Sequence, residues 1–250
     1  MAGKDTKRVS WKRIGLCLAI IYAAGWLALL LTQHIEVWYF AREKARDPKA
    51  AIMPQRLSNT AVAALKGAEV SDFGYVFDLP WKVSTRTGAR TVSTLKLENG
   101  TEVLLTDLRG LPLGLASIEK DTPAEAAAFR SVYGSLAQGS RFQWTQAELN
   151  ASPSDVSFWH STSSNARALT MLMLKDAVVQ RAKVIYTVSA GGVHGFQLGD
   201  PQQPISPVFL RLFDTNDREL WMILRRAPNG VGFTQEQINA IVASIRPATQ

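Results

Sequence analysis

The feature that most constrains this chain is an uninterrupted apolar run near its start. Eighteen residues, from Ile14 to Leu31, carry no charged side chain. At 1.5 Å per residue, a helix of that length reaches roughly 27 Å, close to the ~30 Å hydrocarbon core of a bilayer. The sequence therefore predicts one transmembrane helix over residues 14–32, with the lipid bilayer as its partner.

The flanks of the run predict an uncleaved signal anchor and its orientation. A cleaved signal peptide has an apolar part of about 7 to 15 residues that ends at a small-residue site, whereas this run ends in Leu31-Thr32-Gln33. Basic flanks stay in the cytoplasm, and four of the seven net positive charges precede the run. We expect residues 1–13 to form a cytoplasmic tail. The C-terminal domain is then extracytoplasmic, and periplasmic in a Gram-negative cell.

Composition excludes two classes of function for the rest of the chain. Beyond the anchor there is no basic run and no basic patch interleaved with aromatic residues, so the pattern of a nucleic-acid-binding protein is missing. The single cysteine, Cys17, lies inside the apolar run. The folded part therefore has no disulfide and no thiol for nucleophilic catalysis or metal binding.

Residues 33–72 are predicted to form a helical stalk and a linker. Nothing breaks the helical pattern after the span until Asp47-Pro48, so the helix is expected to continue out of the membrane to about Arg46. The following connector contains "SNTAVAALKG", for which a short helix ending at Gly67 is predicted. The extracytoplasmic domain is assigned to residues 73–247.

Strand signals dominate this domain. Asn99-Gly100 separates two β-rich segments, "TVSTLKL" and "TEVLLTDL", and Asn-Gly is a strong hairpin signal because both residues tolerate positive φ. Four further segments are strand-like, namely "AKVIYTVS", "VHGFQLGD", "SPVFLRLF" and "LWMILRR". The pattern predicts an α+β fold in which helices cover an antiparallel sheet on one face or on both.

Four helices are predicted from N-caps and capping boxes. They begin at Thr122, Thr145, Ser164 and Thr234. The first is expected to close at Gly139 and the third at about Val179, although its apolar run also suits a strand. The last places Ile238, Ile241, Val242 and Ile245 on one apolar stripe that ends at Pro247.

Three segments, "GYVFDLPWKV", "HGFQLGDP" and the terminal "IVASIRP", resemble in their order the Mog1/PsbP-like fold, and more closely a set of uncharacterised bacterial membrane-anchored proteins. The resemblance covers roughly residues 73–247 and implies an α/β/α arrangement around an antiparallel sheet. Members of the wider group are mostly non-enzymatic. They are photosystem assembly factors, extrinsic subunits or partners of a small GTPase, so the resemblance implies no catalytic residues.

No complete catalytic motif, cofactor motif or metal-ligand spacing occurs in the chain, and no cofactor or metal is predicted. Ser117 and Lys120 form an S-x-x-K, but neither S-D-N nor K-T-G follows it. The three histidines have no second His or Cys within five residues. One group of residues can still be considered as a candidate site. Trp159 and His160 precede the third helix, and His194 and Asp200 bracket the "GFQLG" segment, so a shared pocket for these four residues is a candidate site.

The leading hypothesis is a non-catalytic binding or assembly module, held at the outer side of the cytoplasmic membrane and binding a protein or ligand of the cell envelope. Two alternatives are open. One is an extracytoplasmic hydrolase whose acid and base are far apart in sequence. The other is a structural subunit of a membrane complex that uses the stalk and the span as its contact surface.

Overall fold

The computed structural model describes residues 11–107, 127, 130–179, 182–203 and 207–248, and for residues 11–21 it describes the backbone alone. The helices of this described part are α1 (Trp11–Ala45), α2 (Arg141–Asn150), α3 (Thr162–Val179) and α4 (Gln235–Ser244). Short 3-10 helices lie at Pro48–Ala51, Gly134–Gln138 and Pro153–Asp155. The strands are β1 (Pro54–Arg56), β2 (Glu69–Asp72), β3 (Tyr75–Asp78), β4 (Val83–Ala89), β5 (Val92–Leu97), β6 (Glu102–Asp107), β7 (Ile185–Ala190), β8 (Val193–Leu198), β9 (Val208–Phe213), β10 (Glu219–Arg225) and β11 (Arg246–Pro247).

Eight strands form one mixed sheet in the order β1-β7-β8-β9-β10-β6-β5-β4. β1 runs parallel to β7, with Pro54 beside Ile185. The other neighbouring pairs of this sheet are antiparallel. The predicted α+β class, with a mostly antiparallel sheet packed against helices, is confirmed.

One face of the large sheet packs against α4 and a second, three-stranded sheet in the order β11-β3-β2. Successive side chains of a strand point to opposite faces, so Leu210 and Leu212 of β9 enter the same buried cluster as Ile238 and Ile241 of α4. All four are at most 1% exposed. Burying one such side chain contributes about 1.5 to 3 kcal/mol, and this cluster is the largest of the three in the described part of the chain.

The opposite face of the sheet packs against α2 and α3. Phe196 and Leu198 of β8 share a buried cluster with Leu149 of α2 and Val179 of α3. This face also holds Arg211 of β9, whose guanidinium is buried under α2. The sheet therefore separates an apolar core from a mixed core that contains charged groups.

The C-terminal part of α1 packs along α3. Ala41 is fully buried, and Lys44 forms an ion pair with Asp176 of α3. His34 bonds through Nδ1 to Oγ1 of Thr162 at 3.2 Å. The predicted helical continuation after residue 33 is confirmed, but this stretch lies against the folded domain and is not a free stalk.

Two elements that the sequence predicts from local signals are present in the structure. β5 and β6 pair across Asn99-Gly100, where Gly100 has φ of 84° and Asn99 Oδ1 accepts from Thr101 N at 3.1 Å. At the start of α4, Thr234 Oγ1 accepts from Gln237 N and completes a capping box. Both signals are local, so they need no distant partner to act.

The predicted short helix at 58–67 is wrong. These residues contain no regular element, and Asn239 of α4 donates its Nδ2 to the carbonyls of Asn59 and Ala61 at 2.9 and 2.8 Å. Backbone carbonyls that bond to α4 are not available for a helix of their own. The tertiary contact thus overrides a helical composition.

Three predicted helix boundaries are also wrong. α2 begins at Arg141, because Ser140 and Gln143 form the capping box, and Thr145 lies inside the helix. α3 begins at Thr162, ahead of the predicted cap. α4 ends at Ser244, and β11 at 246–247 then pairs with β3. Ile245 is buried as predicted, but from outside the helix. The helical form of α3, preferred over a strand, is confirmed, and the helix is described as far as Val179, since residues 180 and 181 lie outside the described part.

Within the described residues, no helix is both long enough and apolar enough to cross a membrane. The predicted span at 14–32 falls in part on residues 14–21, whose side chains lie outside the described part, so the span stays a prediction. The predicted N-cap at Thr122 also lies outside the described residues. Residues 130–133 are helical and lead into the 3-10 helix that closes at Gly139, where the sequence predicts the end.

Candidate functional site

A cleft of about 640 Å³ opens between the end of α2 and the first half of α3. The 3-10 helix Pro153–Asp155 and the loop that ends at His160 form its third side. Its size suits a small ligand or a few side chains of a partner, since ligand pockets measure roughly 300 to 1,000 Å³.

Local sequence fixes the walls of this cleft. Pro153 stands at the first position of the 3-10 helix, and Ser152 N donates to Asp155 Oδ2 at 2.8 Å. The fully buried Asn165 of α3 accepts from Ser157 N at 3.2 Å and donates to Ser157 O at 2.9 Å. One buried amide thus holds the preceding loop on the helix and places His160 at the rim.

The rim of the cleft is polar and carries both signs of charge. His160 Nδ1 lies 3.0 Å from Asp155 O. Ser164 and Arg167 follow on one face of α3, and both line the cleft. Within the described part of the chain, no ion pair or hydrogen bond engages the Arg167 guanidinium. An exposed guanidinium next to a hydroxyl and an imidazole suits an anionic or strongly polar group.

Ala151, Ala168 and Met171 form the floor of the cleft. One turn further along α3, Lys175 is fully buried and donates its ammonium to Ala151 O at 2.6 Å and to Ala50 O at 3.1 Å. Burial disfavours the charged form and lowers the pKa of Lys175 to about 8, against the opposing charge of Asp155. This lysine joins three segments beneath the cleft and does not reach its surface.

The structure places Trp159 and His160 side by side, but in different surroundings. His160 lines the cleft. The Trp159 side chain is 89% exposed and lines a neighbouring groove together with Trp38 and Arg42 of α1. These two adjacent residues, which the sequence places in one candidate site, therefore border two different sites.

His194 and Asp200 make their contacts elsewhere. The His194 ring lies 4.3 Å from the Phe142 ring, centroid to centroid, on the α2 side of the sheet. Asp200 Oδ1 accepts from Gln202 N at 2.8 Å in the turn after β8. Among the described residues, no hydrogen bond or ring contact connects either of them with Trp159 or His160.

A second constellation, buried under α2, is absent from the sequence-based prediction. Arg211 donates to Glu219 Oε1 at 2.8 Å, to Glu148 Oε1 at 3.2 Å and to Thr145 Oγ1 at 2.8 Å. Trp221 Nε1 also donates to Glu219 Oε1, at 2.6 Å. Burial raises the pKa of Glu148, and the Arg211 charge opposes that rise. Thr145 and Glu148 of this network belong to α2, and Glu219 and Trp221 belong to β10.

The burial of this network favours a structural role. Arg211, Glu148 and Glu219 are between 2% and 6% exposed, so the two carboxylates do not reach solvent. A buried Arg with two acids ties the helix to the sheet, and loss of one partner leaves a buried charge unpaired. Catalysis by these carboxylates would require substrate access that their burial does not offer.

Sequence reasoning found one residue of the cleft, His160, and missed Asp155, Ser164 and Arg167. The available signal was the spacing of Ser164 and Arg167, since residues three apart share one helix face. The position of Asp155 in the cleft could not be predicted, because it depends on the 3-10 helix Pro153–Asp155. Within the described residues, no group of three His, Cys, Asp or Glu side chains is arranged to hold a metal ion.

Comparison with known proteins found no family model that matches this chain, no similar curated protein and no similar solved structure.

Proposed function

We propose that this chain is a single-pass membrane protein whose α+β domain lies outside the cytoplasm and acts as a non-catalytic binding or assembly module of the cell envelope. Residues 1–13 are then cytoplasmic and residues 14–32 cross the bilayer. In a Gram-negative cell the domain is periplasmic. The cleft between α2 and α3 is the binding site that we assign to this module.

The observation that carries the proposal is the change in character along α1. Over residues 22–31 every side chain is exposed, and Trp26, Leu27 and Leu30 are 51%, 59% and 52% exposed. From His34 onward, the same helix packs on α3. Large exposed apolar surfaces are rare on soluble monomers, so lipid is the fitting environment for the first part.

The finer fold assignment is part of this proposal. With α4 on one face of the large sheet and α2 on the other, we infer an α/β/α arrangement of the Mog1/PsbP-like kind. That likeness favours binding or assembly over catalysis. The separate surroundings of His160 and His194 point the same way, because a histidine pair with shared chemistry needs a common cavity.

Topology fusions test the membrane orientation. A reporter phosphatase that folds only outside the cytoplasm, fused behind Gln250, is expected to be active, and a cytoplasm-dependent fluorescent reporter at the same place is expected to be dark. As a matched control, L29R/L30R interrupts the apolar run and is expected to abolish membrane retention. Fluorescence inside the cell with an inactive phosphatase would overturn the proposed orientation.

Site-specific photo-crosslinking tests the binding site. A photoreactive residue in place of Ser164, in the full chain in native membranes, is expected to give a discrete adduct with an envelope component. R167E reverses the charge of the cleft and is expected to abolish that adduct. The same photoreactive residue at Ser84, on the exposed strand β4, is the control. Equal adducts from both positions would contradict the assignment of the cleft.

A further inference from the structure

We propose that the loop at residues 157–160 is a second membrane contact, in which Trp159 inserts into the headgroup region beside the anchor. This inference rests on the proposed function, because it takes the bilayer from the span at 14–32. The occupant of this surface is the lipid interface, and no protein partner is needed to explain its exposed rings.

The first step is the level at which the loop is held. The predicted span ends at Thr32, and at 1.5 Å per residue His34 and Trp38 of α1 lie roughly 3 and 9 Å beyond that point. The interfacial region extends roughly 5 to 8 Å beyond the hydrocarbon core on each side. His34 therefore stands at headgroup level, and Trp38 stands just beyond its outer edge.

The second step is that the loop is attached to α1 at this level. His34 Nε2 lies 2.8 Å from Phe158 O. The Phe158 ring lies 5.4 Å from the His34 ring and 5.3 Å from the Trp38 ring, edge to face in both cases. Trp159 follows directly, with its ring 5.4 Å from that of Phe158.

The third step is the orientation of α3 relative to α1. Thr162, at the start of α3, contacts His34, whereas Asp176, near its end, pairs with Lys44. The two helices therefore run in the same direction, away from the predicted span. The start of α3 and the loop before it form the end of the domain that is nearest to the bilayer.

The fourth step is the chemistry of the exposed groups. Trp159 is 89% exposed and Phe158 is 40% exposed, and on α1 Tyr39 and Phe40 are 53% and 59% exposed. Tryptophan and tyrosine accumulate at membrane interfaces because their rings are apolar and their polar tips prefer water. The exposed rings of the loop thus lie beside α1, at the end of the domain nearest to the bilayer.

Quenching by brominated lipids tests this contact. The full chain is reconstituted into vesicles whose lipids carry bromine at acyl positions 6 and 7, and the quenched tryptophan emission is measured. In W159F, the part of the tryptophan emission that bromine quenches is expected to be smaller than in the parent chain. The decrease is expected to be of the same order as in W26F, which removes a tryptophan of the span. W81F is the matched control, because Trp81 packs on Phe233 inside the domain, and it is expected to leave the quenched emission unchanged.

The outcomes separate this inference from the proposed function. Losses in both W26F and W159F support both. A loss in W26F alone leaves the anchor in place and overturns the second contact. No loss in either variant overturns the span and the inference together. Because the Trp159 side chain is almost fully exposed, W159F is expected to unfold at the same temperature as the parent chain, which excludes misfolding as the cause of a loss.

Discussion

At the scale of single residues, Lys175 is a buried amine whose ionisation depends on the fold. Its buried ammonium has a pKa of about 8, while an unfolded lysine titrates near ~10.4. Between these values the unfolded chain binds more protons, so the free energy of unfolding rises with pH. This contribution is complete above the unfolded value and is lost as pH falls through about 8.

We therefore expect the unfolding free energy of the parent chain to increase between pH 8 and pH 10 relative to that of K175M, by about 2 kcal/mol. Chemical denaturation in a mild detergent over this pH range measures the difference. K96M removes a lysine from the exposed face of β5 and is the control. A pH dependence that is the same in K175M and K96M would contradict the burial of a charged amine.

Arg211 carries the second residue-scale prediction. Replacement by methionine leaves Glu148 buried without its cation and leaves Glu219 with only the more distant Arg141, at 3.9 Å, so R211M is expected to cost about 3 to 5 kcal/mol of unfolding free energy. The matched variant is R225M on the neighbouring strand. Its ion pair with Glu102 spans 3.8 Å and is half exposed, so a change below about 0.5 kcal/mol is expected. Equal losses in the two variants would refute the structural role of the network.

At the scale of elements, the attachment of α1 to α3 depends on Asp176. Hydrogen bonds from Lys44, and then from Lys49, lower the pKa of Asp176. The stability from these pairs is therefore present above the ordinary aspartate value of ~3.9 and is lost as pH falls through the lower folded value. Both cations belong to the junction between α1 and the 3-10 helix Pro48–Ala51, so one carboxylate closes that junction.

D176N removes this carboxylate charge and is expected to loosen α1 from α3. Limited trypsin digestion of the reconstituted chain provides the measurement, since a loosened junction exposes the backbone at Arg42 and Arg46 to cleavage. We expect cleavage there to be several-fold faster than in the parent chain. E43Q breaks only the ion pair with Arg46, the residue that follows α1, and is expected to leave the cleavage rate unchanged. Identical rates in the two variants would argue that apolar packing alone holds the junction.

Elements with local signals were predictable from the sequence, and elements with distant partners were not. The Asn99-Gly100 hairpin and the Thr234 cap contain all their determinants within four residues. β1 has three residues and a partner, β7, that lies about 130 positions further on, so no pattern in its own segment marks it. α2 begins ahead of its predicted N-cap, Thr145, because Ser140 and Gln143 form a capping box that competes with the one at Thr145.

The candidate site was predictable only in part, for a related reason. His160 stands out in a sequence with three histidines, and it does line the cleft. Arg167 is one of many basic residues, and its exposure beside Ser164 depends on which face α3 turns toward α2. Arg211 and Glu148 are 63 residues apart, so their pairing follows from the packing of α2 on the sheet and has no sequence signature.

At the scale of the whole molecule, the position of α1 makes the predicted stalk part of the domain. A fragment of residues 34–250 retains the contacts of His34, Ala41 and Lys44 with α3, whereas a fragment of residues 54–250 loses them together with the buried Ala50. We expect the shorter fragment to be less stable by several kcal/mol, about the sum of these losses. Thermal unfolding of both fragments in the same detergent measures this. Equal unfolding temperatures would show that the domain does not need α1.

The parallel pairing of β1 with β7 also orders events in time. β1 leaves the ribosome early, but the strand that it pairs with follows about 130 residues later. At ~5 to 20 residues per second, that delay lasts roughly 7 to 26 s. During synthesis, β1 therefore waits unpaired beside the lengthening chain, and the sheet reaches its final width only after most of the protein has been made.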